Sequence, residues 1–132
     1  MKKVFVIICC LFLLCGCKKK NDLSYTPEQE EIKIEIFNNF QGILEASNIA
    51  SSDLNDYTVN GYYDNLVKMG DKIIPVLEKM HYNGELKGVT DALSGKVIED
   101  ISDCNLAIKY NHPWYTAEDF YEFYKEHNCN EK

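Results

Sequence analysis

The sequence predicts an all-α protein, and three observations predict it. Apolar residues recur at spacings of three and four along most of the 132 residues, the signature of one buried helical face. No run sustains the period-two alternation of a half-buried strand. Gly, Asn and Asp fall between the periodic runs, where helices stop and start. About five helices follow, arranged as a small bundle or a short helical stack. A chain of this length builds one domain.

The first helix starts at Thr26-Pro27-Glu28-Gln29. Thr26 caps, Pro27 fits the first helical position, and Gln29 completes a capping box. Ile32, Ile36, Phe37, Phe40, Ile43 and Leu44 form its apolar stripe, and the helix runs to Ala46 or Ser47. Gly42 lowers helix propensity and marks a close approach. The segment "NIASSDLND" is a connecting loop. A short second helix carries Tyr62, Tyr63, Leu66, Val67 and Met69 and stops at Gly70. Asp71 caps a third, with Pro75 early enough to remove few hydrogen bonds. Ile73, Ile74, Leu77 and Met80 are its buried side, and Asn83-Gly84 ends it. A fourth spans 86–102, with Val89, Ala92, Leu93, Val97 and Ile101 inward. The last starts at Thr116, where Thr116-Ala117-Glu118-Asp119 resembles a capping box, and Phe120, Phe123, Tyr124 and His127 line one side.

The N-terminus carries a different signal. Lys2 and Lys3 precede twelve apolar residues, Val4 to Cys15, too few to cross roughly 30 Å of hydrocarbon but normal for a signal peptide. Leu14-Cys15-Gly16-Cys17 then resembles the lipobox of bacterial lipoproteins. That resemblance implies cleavage after Gly16 and a diacylglycerol thioether on Cys17. It places residues 1–16 as a signal peptide, 17–26 as lipidated cysteine and tether, and 27–132 as the helical domain. It also implies a cell-membrane protein, lipid-anchored on the extracytoplasmic face. Two acyl chains suffice for stable anchoring, and Lys18, Lys19 and Lys20 would sit beside the headgroups.

A second resemblance concerns the body. "YDNLVKMGDKIIPVLEKM" is similar to a HEAT-type helical repeat: a first helix ending in Leu-Val-x-x-Gly, a tight turn, then Ile-Pro-x-Leu in the second helix. "ALSGKVIEDIS" resembles the start of a following repeat, and "WYTAEDFYEFYKEH" an aromatic closing helix. The resemblance implies a short right-handed stack with a binding or scaffolding surface, and it carries no catalytic residues.

Charge narrows the partners. Nine lysines face twenty-one acidic residues between positions 21 and 132, a net −12, which disfavours nucleic acid. Cys104 and Cys129 remain once Cys17 is lipidated; they form either a disulfide tying the last helix to the body or two buried thiols. His81, His112 and His127 match no ligand spacing, so the sequence indicates neither a metal nor a cofactor; helix-end or surface histidine is the expectation. Glu99, Asp100 and Asp103 read as a solvated face. The aromatic run 114–124 has two readings. Either Trp114, Tyr115 and Tyr121 contact a ligand such as a cell-wall glycan, or the cluster is core, leaving Tyr115 and Tyr121 as the more exposed pair. The leading expectation is a non-enzymatic domain with a protein partner. The alternatives are a glycan binder or small cell-wall enzyme, and a lipoprotein that protects its own cell against a toxin.

Overall fold

The computed structural model describes residues 22–47, 51–127 and 129; the expected signal peptide (1–16), Cys17 and Lys18 to Lys20 lie outside them. The described residues are helical, with no strand. Among the described residues five helices of nine residues or more are joined by a short one: α1 (Pro27–Ala46), α2 (Gly61–Met69), α3 (Ile74–Tyr82), α4 (Val89–Ser102), α5 (Leu106–Tyr110) and α6 (Ala117–His127). Helix α4 is central and packs against α2, α3, α6 and a 3-10 turn at Leu54–Tyr57, while α1 lies on α2 and α3. No described helix is long and apolar enough to cross a membrane.

Helix α1 opens with both halves of the capping box: the Thr26 hydroxyl accepts from the Gln29 N–H, and Gln29 Oε1 accepts from the Thr26 N–H. Its inward stripe is narrower than the sequence suggests. Ile32, Ile36, Phe40 and Ile43 are buried, whereas Phe37 and Leu44 remain 39% and 43% exposed at the stripe's edge. Gly42 is the expected close approach, since a Cβ there would stand 2.5 Å from the Tyr62 ring.

The turn into α3 corrects another expectation. Asp71 caps nothing with its side chain; a 3-10 turn, Gly70–Ile73, feeds directly into α3, and its i→i+3 bonding satisfies donors that a cap would otherwise serve. Helix α4 begins at Val89, three residues later than expected, because Gly88 (φ 57°) breaks the chain's path. Leu86 is still buried, as a loop anchor. Its inward residues are Leu93, Val97 and Ile98, with Val89, Ala92 and Ile101 half-buried. Helix α5, absent from the sequence reading, is signalled by Asn105, whose side chain caps the Ile108 N–H at 3.1 Å.

The closing helix is rotated from its expected face. Ala117, Phe120, Tyr121 and Tyr124 turn inward, Phe123 is half-buried and His127 is exposed. Tyr121 enters the core because its polar end is served there: the phenol lies 2.6 Å from Ser94 Oγ, and the ring stacks on His81 at 4.0 Å. Thr116 caps α6 through the Asp119 N–H. Cys104 and Cys129, both buried, are joined in a disulfide that fixes the end of α6 to the end of α4.

The chain before α1 is docked as well. The Leu23 N–H donates to Asn83 Oδ1 (2.7 Å) and Asn83 Nδ2 donates back to the Leu23 carbonyl (2.9 Å). The tether expected to reach residue 26 therefore becomes part of the folded body by residue 23.

Candidate functional site

Of the three aromatics singled out in the sequence, the structure brings two together and separates the third. Trp114 and Tyr115 line a groove of ≈ 560 Å³ whose other walls are the 51–54 loop and the start of α4. Tyr121 is 1% exposed and belongs to the core, which corrects its assignment as an exposed contact residue.

Each wall of the groove has a local cause. Tyr57 is buried and exchanges hydrogen bonds with Ser51, its hydroxyl accepting from the Ser51 N–H (2.9 Å) and donating to the Ser51 carbonyl (3.0 Å). Asp53 then caps the Leu54–Tyr57 turn through the Asn55 N–H. This loop is held from below and presents Ser51, Ser52 and Asp53 at the rim. On the opposite wall Gly88, Val89 and Ala92 offer a shallow apolar surface.

Trp114 is half-buried and fixed at several points. Its indole N–H donates to Glu99 Oε1 (3.0 Å), its ring packs 5.0 Å from Phe120, and it sits against Gly95. Glu99 itself is 7% exposed, not solvated as its sequence neighbourhood suggests. The same oxygen accepts from the Leu106 N–H (3.1 Å), so one carboxylate anchors the start of α5 and the groove's tryptophan together. Its neighbours are engaged differently: Asp100 accepts from Tyr63 Oη (2.7 Å) and Lys96 (3.0 Å), while exposed Asp103 adopts φ 53° to end α4. Tyr115, next to Trp114, is 85% exposed, as expected where the rest of the cluster forms core.

The three histidines and Cys129 are engaged within the fold. His81 lies in the last turn of α3, as the helix-end reading expects, but it is mostly buried and pairs with Asp91 at 2.8 Å beneath Tyr121. Ser94 is close by but fully buried; its hydroxyl donates to the Asp91 carbonyl (2.6 Å) and receives the Tyr121 phenol, which leaves it no route to a substrate. His112 bonds Asp119 at 3.0 Å and stacks on Phe123, whose other face carries His127. Cys129 is committed to its disulfide and cannot act as a thiolate beside His127. Among the described residues no three His, Cys, Asp or Glu side chains converge as a metal site.

Burial and acceptor contacts hold several phenols neutral. Tyr63 is raised far above the usual phenol range by burial and by Asp100, and Tyr121 by burial. Tyr25 is raised likewise by burial and by its bond to Glu85. A search against family models, curated proteins and solved structures gave no match to this chain.

Proposed function

We propose that this protein is a lipid-anchored, extracytoplasmic helical domain that binds a partner without transforming it, and that the groove beside Trp114 and Tyr115 holds the ligand. The observation that supports this most is a fixed tryptophan beside an exposed tyrosine along one wall of an open, mostly apolar cleft. Large aromatic faces left uncovered next to a rigid wall are the usual material of a binding hot spot. The buried Ser94, the paired His81 and the disulfide-bonded Cys129 supply no accessible nucleophile at that groove.

Membrane attachment rests on Leu14-Cys15-Gly16-Cys17 and is checked by mass spectrometry of the native N-terminus. A retained signal peptide or an unmodified Cys17 removes it. The binding role is checked with a photo-crosslinking residue at position 115 in intact cells. One discrete adduct, lost when Trp114 is changed to Ala in a protein that still folds, supports the groove. A ladder of adducts indifferent to Trp114 refutes it.

A glycan ligand has one specific observation in its favour: exposed Ser52 and Asp53 line the same groove as the aromatics, so hydroxyl-bonding groups accompany a stacking surface, while the Ser51 hydroxyl is spent on Asp56. Its test is co-sedimentation with purified cell-wall glycan. Y115A lowers retention at unchanged stability if the reading is right, and leaves retention unchanged if it is wrong.

A further inference from the structure

We propose that residues 22–25 form a strap that holds the folded domain at short reach from the bilayer, with the face around Leu23, Asn83 and Glu85 turned toward the lipid headgroups. The inference builds on lipidation at Cys17. What it adds is how the domain is held and which face is presented.

A single side chain carries most of the grip. Asn83, 8% exposed, both accepts from the Leu23 N–H (2.7 Å) and donates to the Leu23 carbonyl (2.9 Å). An amide is suited to this, because it offers a donor and an acceptor side by side and so imitates a neighbouring strand. Two residues on, Tyr25 donates its phenol to Glu85 Oε1 (2.6 Å), and Lys33 lies 4.2 Å over the ring. Lys79 donates to the Ser24 carbonyl between them (3.0 Å). These contacts join positions some sixty residues apart in sequence, and a tether meant only to be loose needs none of them.

The consequence is a limit on distance. Six peptide steps separate Cys17 from Leu23, and each spans at most about 3.6 Å, so the pinned residue stands within about 20 Å of the anchor. Without the strap the first fixed residue is Thr26, and the limit becomes about 30 Å. From Asn83 the loop reaches Gly88, at the groove, in five more steps, so that with the Leu23–Asn83 contact included the groove's near rim lies within about 45 Å of the anchor. A net −12 body is repelled by anionic lipid and would otherwise ride at the tether's full length. The strap favours ligands close to the membrane surface.

The experiment uses the full lipidated chain in vesicles of phosphatidylethanolamine and phosphatidylglycerol that carry a dansyl headgroup acceptor. Trp114 is the only tryptophan and serves as donor. Hydrogen exchange of the Leu23 amide is read on the same sample. The wild type should protect Leu23 and transfer energy efficiently. N83A should exchange Leu23 about tenfold faster and transfer less, at an unchanged unfolding midpoint for the rest of the domain. Y25F, which leaves Asn83 in place, should shift both readouts in the same direction and serves as the test if N83A does not fold. An unprotected Leu23 amide in the wild type, or unchanged transfer in a folded variant with a released Leu23, overturns the strap. Vesicle binding by C17S equal to wild type overturns the anchor instead, and Leu23 exchange still reports on the docking by itself.

Discussion

Replacing Glu99 tests whether one buried carboxylate holds the groove in shape. In E99A the Leu106 N–H, which is buried, and the Trp114 indole N–H lose their shared acceptor. A buried donor without a partner costs about 2–3 kcal/mol, and the indole, half-buried and within reach of water, about 1 kcal/mol. The expected loss is therefore about 3–4 kcal/mol, a large part of the 5–15 kcal/mol typical of a domain. E99Q retains an acceptor oxygen but exchanges two charge-assisted bonds for neutral ones, so its loss should be about 1–2 kcal/mol. Urea unfolding with the disulfide intact measures both, and Trp114 emission reports the indole's surroundings. A cycle with W114F isolates the pair, with an expected coupling of about 1 kcal/mol. If E99A stays within about 1 kcal/mol of wild type, or if the coupling vanishes, Glu99 is not the support described here.

Three further outcomes follow from the packing and the titrating groups. G95A should destabilise by about 1–3 kcal/mol in thermal melts, because its Cβ meets the buried Phe120 ring at 2.9 Å, while G42A should cost less since half-exposed Tyr62 can swing outward. Removing the disulfide by C104S should cost about 3.5 kcal/mol in denaturant titrations, from reopening a loop of 25 residues; equal midpoints with and without reductant in the wild type would contradict it. Stability should decline above about pH 10, the ordinary phenol value. The folded pKa values of Tyr25, Tyr63 and Tyr121 are raised, so the native state holds protons that the unfolded chain releases, and stability present below that pH is lost as pH rises. Unfolding midpoints at pH 8 and pH 11 check this, and Y63F should flatten the decline.

The helices were legible because helix formation leaves local marks. Thr26 with Gln29, Gly70 and Asn83-Gly84 act within a few residues of themselves, and each does in the structure what its position implies. The fates of Glu99 and Tyr121 were not legible, because each depends on a partner distant in sequence: Trp114 for one, Ser94 and His81 for the other. Periodicity placed Tyr121 at the margin of its helix, and only a hydroxyl waiting on α4 draws it inward. The strap escaped for the same reason, since a short polar segment carries no period and its recognition lies sixty residues away in Asn83. Trp114 and Tyr115 were found by density of aromatics alone; which of their neighbours shared the groove was a question of tertiary position.

The two pinned ends of the described chain bear on the groove in a related way. The loop at 83–88 receives the strap at Asn83 and Glu85 and contributes Gly88 to the groove. The segment that follows α4 receives the disulfide at Cys104 and leads to Trp114 and Tyr115. The third wall is fixed from beneath by Tyr57. Both ends of the described residues are thus fastened to segments that frame the cleft, and each fastening removes freedom from a wall that would otherwise fray as loops do. A cleft held this way loses little conformational entropy when it fills, so a few aromatic contacts are enough for useful affinity. That arrangement suits the proposed binding role, because a small helical domain without the extended surface of a long solenoid gains most from a rigid, shallow site.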